Sequence, residues 1–172
     1  MGLFHWIRKK KTAKKVLPIP THLQSILFPV GENNSEYEVT GIIRCHCGCE
    51  RFEISESNGG QILKTVCKAC KKEFVLFDGG KHGWDGFVCG DDFLDRETPF
   101  EQVCCRKCGE NDFGITLHIA SQGKESFAEE CLAYDASFSS EDWVNAFEWI
   151  SVSLSCASCG HSVKNWIDLE TM

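Results

Sequence analysis

Apolar and polar residues alternate over several short stretches of the chain. In I-S-V-S-L-S, Ile150, Val152 and Leu154 fall on one face with serines between them, the period of a half-buried strand. G-I-T-L-H-I-A sets Ile115, Leu117 and Ile119 one way and Thr116, His118 and Ala120 the other. Ile62, Lys64 and Val66 share one phase, with Leu63 and Thr65 on the other. The runs F-V-L-F at 74–77 and V-K-N-W-I at 163–167 read as short strands. S-S-E-D-W-V-N-A-F-E-W-I, from residue 139, predicts a short helix capped by Ser139 or Ser140. E-S-F-A-E-E-C-L-A-Y-D, residues 125–135, gives no clear period. Residues 16–40 are expected to be extended along the first half, because Pro18, Pro20 and Pro29 restrict the backbone. Residues 78–92 carry five glycines and read as a turn-rich connector.

These elements fall into two similar sets. Cys47-Gly48-Cys49-Glu50-Arg51-Phe52 and Cys108-Gly109-Glu110-Asn111-Asp112-Phe113 both read C-G-x-x-x-F. Each is followed by an alternating strand, a C-x-x-C pair (Cys67/Cys70 and Cys156/Cys159) and a further short strand. The units lie near 42–78 and 103–169, a two-copy repeat. Nineteen residues separate Cys47 from Cys67 and forty-seven separate Cys108 from Cys156, so the second unit carries an insertion of 28. A structural metal site takes four thiolates in a tetrahedron, two from each of two facing turns. Glycine after the second cysteine can take the positive φ such a turn needs. Gly48, Gly109 and Gly160 stand there, whereas Lys71 departs from the pattern.

The order of turn, strand, strand, turn, strand resembles the zinc ribbon, a metal-stapled β-hairpin found in transcription factors, polymerase subunits, ribosomal proteins and many small bacterial proteins. The resemblance covers both units but not the first forty residues. It implies a mostly β fold: two metal-stabilised, three-stranded units, the second with an inserted strand and short helix. The expected layout is a basic arm at 1–15, an extended lead-in at 16–40, a first ribbon at 41–78 and a connector at 79–102. A second ribbon follows at 103–172, with its insertion at 114–155. The expected cofactor is two zinc ions per chain. In the second unit the ligands are Cys105, Cys108, Cys156 and Cys159, since Cys104 would make the turn one residue too long. In the first they are Cys47, Cys67, Cys70 and either Cys45 or Cys49. Cys45 is preferred, because Cys49 would place the glycine inside the turn. His46 stands between stronger thiolate candidates and reads as solvated. Cys49, Cys89, Cys104 and Cys131 remain unassigned.

Charge narrows the partners. The chain is 172 residues long with a net charge of −7. Residues 1–15 carry six bases and no acid, which leaves twelve bases against twenty-five acids elsewhere, a balance of −13. Such a body disfavours broad contact with a phosphate backbone and suits a basic protein partner. Nucleic acid would have to be met by the arm and by Lys64, Lys68, Lys71 and Lys72 of the first unit. Leu3, Phe4, Trp6 and Ile7 offer a weak contact with a membrane surface, and stable membrane insertion is not expected. The N-terminus has its charges after its apolar residues, unlike a secretory signal, so a reducing cytoplasm is expected, where clustered cysteines hold metal. In the connector, Trp84 and Phe87 are expected to pack onto a ribbon as part of an ordered linker, and Trp143, Phe147 and Trp149 in the insertion are expected to cover the second unit's sheet; the alternative makes His82, Trp84 and Asp85, and Trp143, Phe147 and Trp149, candidates for partner contact. A His82–Asp85 acid/base pair with Cys89 as nucleophile is the weaker reading of the connector, and no enzymatic activity is expected.

Overall fold

A computed structural model describes residues 16–132 and 137–172. It is mostly β, a curled antiparallel sheet of nine strands among the described residues. In chain order these are β1 (Leu27–Pro29), β2 (Glu38–Ile43), β3 (Phe52–Ser57), β4 (Ile62–Cys67), β5 (Glu73–Asp78), β6 (Glu101–Gln102), β7 (Phe113–Ala120), β8 (Trp149–Cys156) and β9 (Ser162–Glu170). The alternating stretches of the sequence supply the hairpins β3–β4–β5 and β7–β8–β9.

The two units do not stand apart on either side of a connector. Their first strands meet at one residue pair, Phe52 opposite Phe113. Beyond that point β3 and β7 diverge, and each takes up the strand that leads into the other unit. Thus β2, ahead of Cys45, pairs with β7, while β6, ahead of Cys105, pairs with β3. The exchange is in register. Ile42 faces Thr116 and Gln102 faces Ser55. In both pairs one residue lies three before the first cysteine and its partner three after the phenylalanine. The side chain of Asn111 finishes the seam, accepting from Ile54 N at 2.7 Å and donating to Ile54 O at 3.0 Å. It satisfies the Ile54 N–H, which an adjacent strand would otherwise bond, and shares Ile54 O with Val103 N.

One core runs through both units. Phe52, Ile54, Leu63 and Phe77 of the first pack in the same cluster as Phe113, Leu117, Phe147, Ile150 and Val152 of the second. Each such side chain contributes about 1.5–3 kcal/mol of hydrophobic stabilisation. A second cluster gathers Phe127, Cys131, Trp143, Val144 and Ala146, with Trp84 and Phe87 of the connector packed on it.

Two expectations need correction. The helix expected from Ser139 is a single 3₁₀ turn, Asp142–Val144. Trp143 and Phe147 would share a helical face at i, i+4, but they are drawn to different clusters, so the turn cannot propagate. The helix, α1 (Lys124–Phe127), lies instead in the stretch without clear periodicity and runs into a π-helical turn at Ala128–Leu132. The lead-in only partly follows the first unit. His22 lies against Leu76 of β5, but β2 joins the second unit. The connector is ordered, as expected: a π-helical turn spans Trp84–Cys89 and Trp84 and Phe87 pack on the second cluster. It is stitched to the end of the second unit by Trp84 N donating to Phe147 O at 3.0 Å and Asp85 N to Thr171 O at 2.7 Å. Gly83 permits this, since a Cβ there would lie 2.4 Å from Thr171 Cβ.

Candidate metal centres

Each unit holds four cysteines whose sulfurs lie within 4.8 Å of one another: Cys45, Cys47, Cys67 and Cys70 in the first, Cys105, Cys108, Cys156 and Cys159 in the second. Two come from the turn before the hairpin and two from the turn between its second and third strands. The backbone builds the turns alike. Cys45 N donates to Cys49 O and Cys105 N to Glu110 O, while Gly48 N and Gly109 N donate back to Cys45 O and Cys105 O. In the later turns Lys71 N donates to Cys67 O and Gly160 N to Cys156 O. Lys71 reaches this geometry with φ 60°, beside 71° for Gly160.

The donor sets fit a tetrahedral metal. Sulfur separations are 3.4 Å for Cys45–Cys70 and 3.6 Å for Cys47–Cys67, and 3.7 Å for Cys105–Cys159 and 3.6 Å for Cys108–Cys156. A tetrahedron with metal–sulfur bonds of about 2.3 Å has edges of about 3.8 Å. Cys45, Cys67, Cys105 and Cys156 are buried, and the remaining ligand candidates are exposed or half-exposed. Each centre therefore sits with one side in the core and one at the surface.

The turns also prepare thiolates. Burial pushes the Cys67 thiol up, but N–H groups of Cys70 and Ala69 and the neighbouring thiols overcome it and bring the pKa to about 6. The Lys107 N–H, helped by that of Cys108, brings Cys105 down to about 7 against burial. Burial lifts Cys45 to about 12. At Cys108 the Glu110 N–H pulls down, while burial and the three neighbouring thiols push up to about 12. In each set one thiol is lowered while another is raised, and a divalent cation would draw all four into the thiolate form.

Between the centres lies an ion pair that composition alone does not reveal. Arg51 Nε donates to Asp112 Oδ1 at 3.0 Å and Arg51 Nη2 bonds Asp112 Oδ2. The two occupy the same place in C-G-x-x-x-F, so that match was the available signal. Arg51 O accepts from Lys68 N and Asp112 O from Ala157 N, tying each first turn to the later turn of its own unit. Asp112 is 3% exposed, and the guanidinium beside it holds its carboxyl below the usual range.

The other candidates are placed as follows. Cys49 lies outside the first set and accepts from Arg51 N. Cys89 and Cys104 are exposed, and Cys131 is buried in the second cluster. His46 lies 6.0 Å from the Phe74 ring. Trp143 and Phe147, 2% and 0% exposed, are core residues and not partner surface. Trp149 is half-buried and donates to Asp168. Trp84 and Asp85 are half-buried in the connector.

His82 accepts from Asp78 N and stacks on His22, with ring centroids 3.7 Å apart. Burial and the second imidazole lower its pKa to about 3. Burial together with Asp85 and Asp91 raises the Cys89 thiol, the reverse of what a nucleophile needs. The first-unit lysines are engaged: Lys68 and Lys71 on Glu53, Lys64 over Phe100 and Lys72 over Phe74.

The fold and its two cysteine sets define a small β protein able to hold two metal ions. Compared with protein-family models, curated proteins and solved structures, the chain matches none. Among the described residues no helix is long and apolar enough to cross a membrane.

Proposed function

We propose that this chain is a tandem zinc-ribbon protein of the cytoplasm that binds two structural zinc ions and serves as a non-enzymatic protein-interaction module. The observation that carries the reading is the pair of closed four-cysteine sets. Thiolate softness and tetrahedral spacing suit zinc. Four protein ligands leave no position for water or substrate, which distinguishes a structural from a catalytic centre. The raised Cys89 thiol and the lowered His82 speak against a nucleophile in the connector. The residues held in order by metal then present a surface, and the balance of −13 outside the arm favours a basic partner at long range.

The alternative, a nucleic-acid-binding ribbon protein, rests on the six bases of residues 1–15, which lie outside the described residues. The pairing of Lys68 and Lys71, and the stacking of Lys64 and Lys72, weaken the first-unit contribution. Metal analysis of the purified chain, followed by a pull-down with the zinc-loaded protein, tests the reading. Two zinc ions and one stoichiometric protein partner are expected. One zinc or none removes the ribbon reading. Salt-sensitive RNA binding that is lost on deleting residues 1–15 favours the alternative. Cys45→Ser should lose the first ion while Cys49→Ser keeps it.

A further inference from the structure

The second unit has a cavity of about 200 Å³ beside its metal centre. Its floor is apolar, with Val103, Phe113, Leu154 and Val163, and Arg106 and Trp166 lie among its walls. The edge strand β9 is distorted to make it. Leu154 pairs with Val163 but Val152 with Ile167, so three residues of β9 bulge opposite Ser153. Asn165 takes φ 47° in this bulge, and its N–H is held by Ser153 Oγ at 3.0 Å. Asparagine tolerates that conformation better than most residues. The position of Val163 in β9 is that of Phe74 in β5, since Leu154 and Thr65, their cross-strand partners, both lie two residues before a ligand cysteine. In the first unit the Phe74 ring packs on the core, with Lys72 over it at 5.4 Å.

Charge singles out the same place. Of the twelve described lysines and arginines, nine have an acidic partner or an aromatic ring. Arg106, Lys107 and Lys164 have neither among the described residues. Arg106 lines the cavity and Lys107 follows it, while Lys164 stands in the β9 bulge between Val163 and Asn165, which both line it. Arg106 and Lys107 also lie between two ligand cysteines and offset thiolate charge. Lys164 lies in neither turn, so this does not account for it.

Accepting the protein-interaction reading above, we infer that this cavity receives an aromatic side chain from a short acidic segment of a protein partner. The ring lies at the place that corresponds to Phe74 in the first unit, and flanking carboxylates meet Arg106, Lys107 and Lys164. Cations beside an aromatic face and opposite carboxylates reinforce one another. The acidic field of the remaining surface opposes acidic partners in general, so the anchor ring and its local cations provide the selectivity. Three cations are few for a phosphate backbone, and an aliphatic floor suits phenylalanine.

The test uses the full chain carrying two zinc ions and a fluorescein-labelled peptide, Asp-Glu-Asp-Phe-Asp-Glu-Asp. Its controls are the same peptide with Ala for Phe, a lysine-flanked version, and a single-stranded RNA oligonucleotide. Saturable binding of the acidic Phe peptide alone is expected, with amide shifts centred on Val163–Trp166. Val163→Phe should weaken it about tenfold or more with both zinc ions retained, by filling the cavity. Lys164→Glu, at an exposed position, should weaken it about threefold or more and keeps the test valid if Val163→Phe misfolds. The inference is overturned if the Ala peptide binds equally, if the RNA or the lysine peptide binds better, or if neither variant changes the affinity. A native partner captured equally by wild type and Lys164→Glu would leave the module reading standing and remove this one.

Discussion

The two units hold four sulfurs in the same way and differ in nearly everything around them. Lys71 takes a left-handed conformation where the other unit has Gly160. The first turn of one unit is a residue shorter than that of the other, yet the N–H of its first cysteine finds the equivalent carbonyl. Phe74 stands in the first unit at the register position that Val163 holds beside the second unit's cavity, and four residues join β3 to β4 where 28 join β7 to β8. Four bonds to one ion constrain a turn tightly, whereas a strand edge tolerates substitution once the core is covered. Divergence is therefore expected at the periphery, and the open cavity is found there.

The largest test of this comparison removes one centre. Cys67→Ser and Cys156→Ser should each lose an ion, and structural zinc contributes on the order of 10 kcal/mol to folding. Because β2 and β6 are exchanged and the core is shared, loss of either centre should loosen both units. Metal content with hydrogen exchange would show this, and full protection of the unaltered unit would show the units to be independent. Next, Phe52→Ala at the seam should cost about 3–5 kcal/mol, read by denaturant unfolding. A similar loss should follow Phe113→Ala if the seam is equivalent from both sides.

Among the described residues the stacked histidines lie on the first unit's side and should make stability depend on pH. Their folded pKa values lie below the ordinary 6.5, that of His82 at about 3. Between pH 6.5 and 3 the unfolded chain binds more protons, so the contribution is full above 6.5 and is lost on acidification. His22→Phe, which keeps both metal centres, should therefore show a shallower fall in thermal midpoint between pH 7 and 5 than wild type. The smallest effect is at the turns. Lys71→Gly should stabilise by about 1 kcal/mol by relieving a left-handed lysine, and Gly160→Ala should destabilise by about as much. Calorimetry would detect both, and a shift of the same sign in the two variants would show that the turns are not equivalent.

Much of this was legible in the residues. Period-two alternation located β4, β7 and β8, and the match of C-G-x-x-x-F made Phe52 and Phe113 equivalent positions of the two units. The cysteine spacing named the residues that gather, because turn geometry is local. The helix was misplaced since Trp143 and Phe147 have helical spacing but separate cores. The same aromatics left covering the sheet and meeting a partner both open, for sequence gives size and polarity but not depth, and burial of Trp143 and Phe147 decides for packing. The first-unit lysines suggested a nucleic-acid face, because clustering in sequence says nothing of the acids and rings that engage them.

What the sequence alone determined is what depends on near neighbours: strand phase, the cysteine turns and the correspondence of the two units. Only the tertiary structure decided that β2 and β6 change units, that Arg51 meets Asp112, and that the space beside Val163 stays open. Each of these depends on residues tens of positions apart. Which of several compatible strand edges pairs with which is settled by burying one shared core, and no local period encodes that choice.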